Sequence, residues 1–309
     1  MRLYLFDKDS NNNNYLGNYD ISSDAKGIIR DVNSKDYFYI KSDNYLYKYD
    51  VSGDTEIQSD VTSINNDYEP TLVLNRDGSI LCYINSTEGE ISLFDTSDMT
   101  LIATKSISTT SAKRPIISRL EDKLFYVNTK LNYIDLSDDS KISTVGNVKS
   151  LYILAQNNTD LYTIDSTEDK LIKYSINSDG SIGDGSGGSD YIEIKDYTLD
   201  SIYEFVDINI NSNGYIILLY RDTEFTSKID IINTNGTVLN SVTLNGVYKW
   251  LSLDSYDNIY VSRNDAVISA VYKYNSDLSS VEEIVKDIYI DVPGLDSLGY
   301  IQSTITGAI

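Results

Sequence analysis

A short phrase recurs seven times along the chain, and this repetition constrains the fold more than any other feature of the sequence. Each copy ends a strand-like segment on an aromatic or aliphatic residue that is followed directly by Asp, Asn or Ser. The closing residues of the seven copies are Asp7, Asp50, Asp95, Asp135, Ser175, Asn233 and Asn275. Successive copies lie about 40 to 60 residues apart, which is the range expected of propeller blades with variable loops.

Each phrase belongs to a larger unit of four strand-like segments. A candidate innermost strand precedes it, and turn residues such as Arg76-Asp77-Gly78 separate that strand from the next, as in a tight hairpin. The innermost candidates are residues 27–32, 71–75, 115–120, 150–154, 205–210, 250–254 and 288–292. The sequence therefore predicts an all-β fold, a seven-bladed β-propeller of four-stranded antiparallel blades.

The count of four strands in each of seven blades is complete only if the two ends of the chain share one blade. Residues 3–7 and 15–21 form two outer strands without an inner pair, and residues 288–292 and 298–302 form two inner strands without an outer pair. Sharing a blade removes the exposed sheet edges of an open array. We predict one domain, 1–309, with blades at about 27–61, 70–107, 114–146, 149–195, 204–244, 248–285, and 287–303 plus 2–21.

This pattern resembles the seven-bladed propeller superfamily in architecture. The Gly-His and Trp-Asp pairs of WD-type repeats are missing, because the chain has no histidine and its one tryptophan, Trp250, precedes Leu251. The tryptophan-docking motifs of quinone-dependent dehydrogenases are missing as well. The resemblance therefore implies a fold and does not carry over a function.

Charge narrows the class of partner. The net charge is −22 and the pI is near 4.2, so the chain lacks the basic footprint that a nucleic-acid binder needs. An anionic membrane surface is disfavoured for the same reason. The acidity indicates a solvated surface, with cation-binding acidic loops as the alternative.

Catalytic and metal chemistry are restricted by the residue inventory. With no histidine and one cysteine, Ser-His-Asp triads, Cys-His dyads, histidine-based zinc sites and intrachain disulfides are excluded. Cys82 lies in an apolar segment and is predicted to be buried. We predict no catalytic residue, no metal site and no cofactor. The alternative is a lactonase-like enzyme holding a divalent cation between carboxylates near the innermost strands, with Asp31, Asp207, Asp254 and Asp291 as candidates.

A glycine-rich segment, residues 177–190, is the most unusual stretch of the sequence. A calcium site would use Asp179, Asp184 and Asp190, but their spacing does not match an EF-hand loop and no closing glutamate falls in place. The segment is predicted to be a flexible surface linker.

Tyrosine is abundant, with 27 residues, and most of them lie in strand phrases where packing accounts for them. Tyrosines in connections between blades are better candidates for a contact surface, because a tyrosine ring offers rigid amphipathic area. The predicted binding residues lie in such connections and in one enlarged loop. They are Tyr68, Tyr197, Tyr248, Arg221, Asp222 and Phe225.

The N-terminus turns polar within seven residues and lacks the apolar core of a signal peptide, and no run reaches the length of a membrane span. We expect a protein made in the cytoplasm without a signal peptide and without membrane insertion. The abundance of Asn, Ile, Tyr, Asp and Ser is typical of an AT-rich, clostridial-type genome. In composition the chain resembles accessory proteins of bacteriophage tails and phage-tail-like bacteriocins (tailocins), which lysis releases.

The leading hypothesis is therefore a structural, baseplate-type or receptor-binding component of a phage-tail-like particle. Its partners would be other proteins of that assembly and a bacterial cell-surface glycan or protein. A stand-alone glycan- or protein-binding propeller is the alternative, followed by the metal-dependent lactonase-like enzyme.

Overall fold

The computed structural model describes most strands and many turns between residues 2 and 287. The described ranges are 2–6, 15–20, 27–30, 37–41, 45–50, 52–53, 55–59, 72–75, 77–85, 88–107, 113–117, 123–127, 131–136, 142–145, 151–156, 159–165, 167–178, 182, 191–198, 202–223, 226–254, 256–264 and 269–287. Within these ranges every regular element is a β-strand. The chain divides into two compact units, the first containing β1–β10 and the second β11–β26.

The first unit contains ten strands. They are β1 (Arg2–Phe6), β2 (Tyr15–Asp20), β3 (Gly27–Arg30), β4 (Tyr37–Lys41), β5 (Leu46–Asp50), β6 (Thr55–Gln58), β7 (Leu72–Leu74), β8 (Ile80–Asn85), β9 (Glu90–Asp95) and β10 (Leu101–Ser106). Strands β3–β6 and β7–β10 each form a four-stranded sheet, and β1 pairs with β2.

The second unit contains sixteen strands. They are β11 (Lys113–Ile117), β12 (Lys123–Val127), β13 (Leu131–Asp135), β14 (Ile142–Val145), β15 (Leu151–Gln156), β16 (Asp160–Asp165), β17 (Lys170–Ser175), β18 (Tyr191–Asp196), β19 (Ile202–Ile210), β20 (Ile216–Asp222), β21 (Ser227–Ile232), β22 (Val238–Leu244), β23 (Tyr248–Leu253), β24 (Ile259–Asn264), β25 (Ser269–Tyr274) and β26 (Val281–Asp287). They form four sheets, each made of four consecutive strands.

Every sheet is an antiparallel meander, because strands that are consecutive in the chain are neighbours in the sheet. In the β19–β22 sheet, for example, Ile210 of β19 pairs with Ile216 of β20, and Ile216 pairs in turn with Ile232 of β21. The described residues thus form six four-stranded sheets and one two-stranded sheet. The prediction of four-stranded antiparallel blades is confirmed, and the predicted pairing of the first two strands is also seen.

Burial falls from the middle strands to the outer strand in the sheets whose outer-strand side chains the structure describes, as β8, β20 and β22 illustrate. All but the first residue of β8 and the first five residues of β20 are buried, whereas most of β22 is exposed or half-buried. A strand that is covered on both faces reads as a continuous apolar run, and an edge strand that is covered on one face alternates. This gradient explains why the apolar phrases mark the middle strands of each unit.

The core lies between successive sheets. In the second unit, Tyr162 and Leu171 of one sheet pack with Phe205 and Leu218 of the next, and Val206 and Ile217 pack in turn with Leu251 and other residues of the β23–β26 sheet. The first strands of these sheets also contact one another, β11 with β15, β15 with β19 and β19 with β23. Each pair of sheets therefore buries one apolar layer, as in sheet-on-sheet packing.

The first unit shows the same packing between its two four-stranded sheets. Tyr39 and Leu46 pack against Leu81, Tyr83 and other buried residues of the second sheet. The ammonium of Lys48 donates to the carbonyl oxygen of Thr96 at 2.7 Å and adds a polar link between the same sheets. Cys82 is fully buried, as predicted, and burial raises the pKa of its thiol to about 12.

Outer strands carry an irregularity that recurs. The register of β10, β18, β22 and β26 against the preceding strand shifts by one residue, which leaves an extra residue in each outer strand. The extra residues are Ile102, Ile194, Leu239 and Ile284. A bulge bends an edge strand and interrupts its row of free hydrogen-bonding groups, so these edges are poor templates for pairing with another chain.

Several sequence-based boundaries needed correction. Strand β11 covers Lys113–Ile117 rather than residues 115–120, and β19 begins at Ile202 rather than at Phe205. The predicted inner strands at 288–292 and 298–302 lie outside the described residues. The single domain and the seventh, shared blade therefore stay predictions.

Candidate binding surface

A five-residue turn recurs at one end of the β19–β22 and β23–β26 sheets, where the first strand joins the second or the third strand joins the fourth. In the β19–β20 turn the Asn211 side chain accepts from the backbone N–H groups of Asn213 and Tyr215 at 3.1 and 2.8 Å, and Gly214 has a positive φ of 76°. Asn233 and Asp254 accept equivalent bonds in the β21–β22 and β23–β24 turns. Asn and Asp favour such turns because their short side chains bond the backbone two residues ahead.

A second local motif places Asp two residues before Ser or Thr. Asp50, Asp95 and Asp196 each accept from both the backbone N–H and the hydroxyl of the residue two positions on. The side-chain hydroxyl bond is the largest influence that lowers the pKa of each carboxyl below its ordinary value. Asp50 and Asp95 are closing residues of the repeated phrase, so the phrase carries its own turn signal.

Two of the predicted binding residues, Arg221 and Asp222, are consecutive at the end of β20, on the end of the β19–β22 sheet opposite the Asn211 and Asn233 turns. The Arg221 guanidinium pairs with the Glu204 carboxylate across β19 and β20. Asp222 accepts from the Thr226 N–H at 2.9 Å and pairs with Lys228 at 3.6 Å. Tyr203, next to Glu204, is 59 % exposed. We call Tyr203, Glu204, Arg221 and Asp222 the Tyr203 surface.

Two predicted binding tyrosines are core residues instead. Tyr197 is 1 % exposed, packs against Phe205 and Tyr220, and donates its hydroxyl to the buried Asp230 carboxylate at 3.3 Å. Tyr248 is 4 % exposed and is the first residue of β23. The expectation that both rings lie exposed in connections is wrong, because a neighbouring sheet covers each of them. Tyr68 and Phe225 lie outside the described residues.

The carboxylates proposed for a channel metal have structural partners where the structure describes them. Asp207 accepts from the Leu251 N–H at 3.0 Å and so links the first strands of two sheets. Asp254 is buried and accepts from two backbone N–H groups and from the side chains of Asn258 and Tyr260. Across the described ranges, no group of three or more acidic or cysteine side chains has the arrangement of a metal site. Asp31, Asp291, Asp179, Asp184 and Asp190 lie outside those ranges.

Three exposed tyrosines were missed by the sequence analysis: Tyr203, Tyr215 and Tyr256, which are 59 %, 36 % and 65 % exposed. Tyr215 and Tyr256 lie in the β19–β20 and β23–β24 turns. The signal that could have found Tyr215 and Tyr256 is their position inside an Asx-capped turn, where a side chain has no strand neighbour to cover it; Tyr203 lies in β19 and gives no such signal. In the part of the chain that the structure describes, no helix is long and apolar enough to cross a membrane.

No family model and no curated protein sequence matches the chain. Many solved structures do match. The Cps50 (Swd1) β-propeller domain of Myceliophteria thermophila has a TM-score of 0.62 at 8% identity, over 91% of this chain and 88% of that one.

Two further matched structures come from a protein complex and from an enzyme. A chain from a Mitotic Checkpoint Complex has a TM-score of 0.61 at 14% identity, over 87% of this chain and 81% of that one. A luciferin-regenerating enzyme has a TM-score of 0.52 at 14% identity, over 80% of this chain and 85% of that one. At such identities the likeness shows the fold alone. The chain has a β-propeller fold of four-stranded antiparallel blades.

Proposed function

We propose that this chain is a non-catalytic β-propeller that binds other proteins, as a structural or receptor-binding component of a phage-tail-like particle. The observation that carries the proposal is the Tyr203 surface. There an exposed tyrosine lies beside an Arg–Glu ion pair at one end of a rigid sheet. Tyr and Arg are the residue types that contribute most to protein–protein interfaces.

The Arg221 side chain is held in place before a partner arrives. Only 16 % of its side chain is exposed, against 40 % for Glu204, and burial lowers the pKa of the guanidinium below its usual value. An arginine guanidinium keeps its charge under such conditions. A partner would therefore meet a positioned cation and a large aromatic side chain, and would lose little conformational entropy on ordering them.

The non-catalytic part of the proposal is supported by how the candidate carboxylates are used. Asp207 links two sheets, and Asp254 organises a turn through four accepted hydrogen bonds. A carboxylate whose lone pairs are already engaged by backbone N–H groups is a poor metal ligand or general base.

Membership of a particle is supported by composition and by the fold. One matching propeller belongs to a Mitotic Checkpoint Complex, which is a protein assembly. The acidic surface, with a net charge of −22, suits a soluble component that is released by lysis. We further propose that residues 2–21 and 287–303 together form a seventh blade, since β1 and β2 supply two paired strands and no other strand among the described residues pairs with them.

The proposal is tested by fractionating a lysate of the bacterium that encodes the chain, after induction of its phage-like particles. We expect the chain to sediment with intact particles in a density gradient, with a copy number compatible with tail symmetry. Recovery of the chain only in the free-protein fractions, or particles that are complete without it, would overturn the proposal.

A matched pair of variants then tests the Tyr203 surface. Tyr203→Ala should lower incorporation into particles by about tenfold, the scale expected for an interface anchor. Tyr256→Ala removes an equally exposed tyrosine from the opposite end of the neighbouring sheet and should leave incorporation unchanged. Equal incorporation of both variants would remove the Tyr203 surface from the proposal.

A further inference from the structure

The β19–β20 and β23–β24 turns place two exposed tyrosines on adjoining sheets. Tyr256 is the most exposed large apolar or aromatic side chain among the described residues, and Tyr215 is also exposed. Both lie at the end of the sheets opposite the Tyr203 surface, because β19 runs from Tyr203 to the turn that contains Tyr215. The proposed protein-binding function does not use either residue.

The backbone beneath both rings is fixed without a ligand. Tyr215 N–H donates to Asn211 at 2.8 Å, and Tyr256 N–H donates to Asp254 at 2.9 Å. The two turns are also joined, since the N–H and hydroxyl of Ser212 donate to the Asp257 carboxylate at 2.8 and 2.5 Å. A rigid pair of turns presents its side chains at little entropic cost.

The polar groups around these tyrosines are amides, hydroxyls and carboxylates. No Lys or Arg occurs in residues 211–215, 233–237, 254–258 or 275–280, which are the turns at this end of the two sheets. Asn213, Asn235 and Ser212 are exposed, and Asp277 carries a carboxyl whose pKa is lowered by the Ser279 hydroxyl. The residues of these four turns offer an anionic ligand no cation, and their carboxylates would repel it. An ammonium close to these turns is that of Lys273 in β25, which lies 5.9 Å from the centroid of the Tyr260 ring.

We propose that the Tyr215 and Tyr256 turns bind a neutral oligosaccharide. The apolar C–H face of a sugar ring packs on an aromatic ring, and its hydroxyls pair with amide, hydroxyl and carboxylate groups. The two turns supply both kinds of contact, and their own residues include none of the cations that a phosphorylated, sialylated or uronic-acid ligand needs.

The proposal is tested with the full chain on an array of neutral and acidic oligosaccharides, followed by calorimetric titration with the strongest neutral one. We expect retention of neutral saccharides, a fivefold to tenfold weaker affinity for Tyr256→Ala, and a smaller loss for Tyr256→Phe, which keeps the ring. These factors are about those of one aromatic contact. Tyr203→Ala is the matched control and should bind like the unchanged chain.

Three results would overturn the proposal: no neutral saccharide is bound, acidic saccharides alone are bound, or Tyr256→Ala and Tyr203→Ala lose affinity equally. Binding of a basic protein at this surface, with no saccharide bound by the chain, would assign the surface to a protein partner and would also overturn the proposal. Circular dichroism of each variant checks that the fold is kept. The particle experiment measures the effect of Tyr203→Ala on incorporation, and the saccharide experiment measures the effect of Tyr256→Ala on binding. Either proposal can therefore fail without the other.

Discussion

Two turns of the β19–β22 sheet have nearly the same sequence but different surroundings. Residues 211–215 read Asn-Ser-Asn-Gly-Tyr and residues 233–237 read Asn-Thr-Asn-Gly-Thr. In both, the Gly N–H donates to the first Asn carbonyl, at 2.9 Å for Gly214 and 3.0 Å for Gly236, and φ is 76° and 83°. A methyl group on Gly236 would overlap the carbonyl oxygen of Ile194, whereas one on Gly214 would meet nothing within 4 Å.

The comparison separates two influences on one motif. The local sequence sets the turn, because Asn caps the backbone and Gly adopts the left-handed conformation. The bulged residue of the preceding sheet, Ile194, decides how closely another backbone approaches it. The preceding sheet therefore approaches the backbone of the β21–β22 turn closely, whereas the β19–β20 turn is joined to the following sheet through the Ser212–Asp257 hydrogen bonds and leaves space at Gly214.

The largest effect is expected for Gly236→Ala. A left-handed alanine costs about 1–2 kcal/mol, and overpacking against backbone adds about 1–3 kcal/mol, so unfolding free energy should fall by about 3 kcal/mol or more. Gly214→Ala is the control and should lose only the first contribution. Urea denaturation followed by tyrosine fluorescence measures both, and equal losses would show that Ile194 does not press on Gly236.

A smaller effect is expected for Asp254→Ala in the β23–β24 turn, which is capped by a buried carboxylate instead of an amide. The change leaves the N–H groups of Tyr256 and Asn258 without their acceptor, and we expect a loss of about 2 kcal/mol. Asp254→Asn keeps one acceptor oxygen and should lose less. If Asp254→Asn were as destabilising as Asp254→Ala, charge rather than turn capping would be the source of the stability.

The next effect is a pH dependence in the β25–β26 turn, which contains Asp277. The turns at 211–215 and 233–237 lack it because they contain no carboxylate. The Ser279 hydroxyl is the largest influence lowering the pKa of Asp277. A folded-state pKa below the unfolded value of about 4 contributes stability that is present above pH 4 and lost as the pH falls through the folded pKa. Ser279→Ala should raise the Asp277 pKa toward 4 in an NMR titration and weaken this acid dependence. An unchanged Asp277 pKa would contradict the assignment.

The smallest effect is expected for Ser212→Ala, which removes one of the two hydrogen bonds that join the β19–β20 and β23–β24 turns. The bond is exposed, and the Ser212 N–H still donates to Asp257. We expect a loss of about 0.5 kcal/mol in unfolding free energy. Amide hydrogen exchange at Asn213 and Tyr215 should rise in this variant, and a loss above about 2 kcal/mol would mean that the link does more than join two turns.

The strands and turns could be predicted because their signals are local. Apolar phrases of the kind at Leu93–Asp95 and Asn-Gly or Asp-Gly turns specify a hairpin within ten residues, and six four-stranded sheets follow from them. The binding residues could not be predicted as well. Tyr197 follows the end of a strand as an exposed residue might, yet Phe205 and Tyr220 of the next sheet cover it.

By itself, the sequence determined the repeating unit, its antiparallel pairing and the exclusion of histidine-based chemistry, because hydrophobic periodicity, turn chemistry and composition depend only on the order and kinds of residues. Tertiary structure alone decided which tyrosines face solvent, that Arg221 pairs with Glu204, and that Gly236 lies against Ile194. Exposure depends on a neighbouring sheet that is formed tens of residues away, and no local pattern records which side chains that sheet will cover.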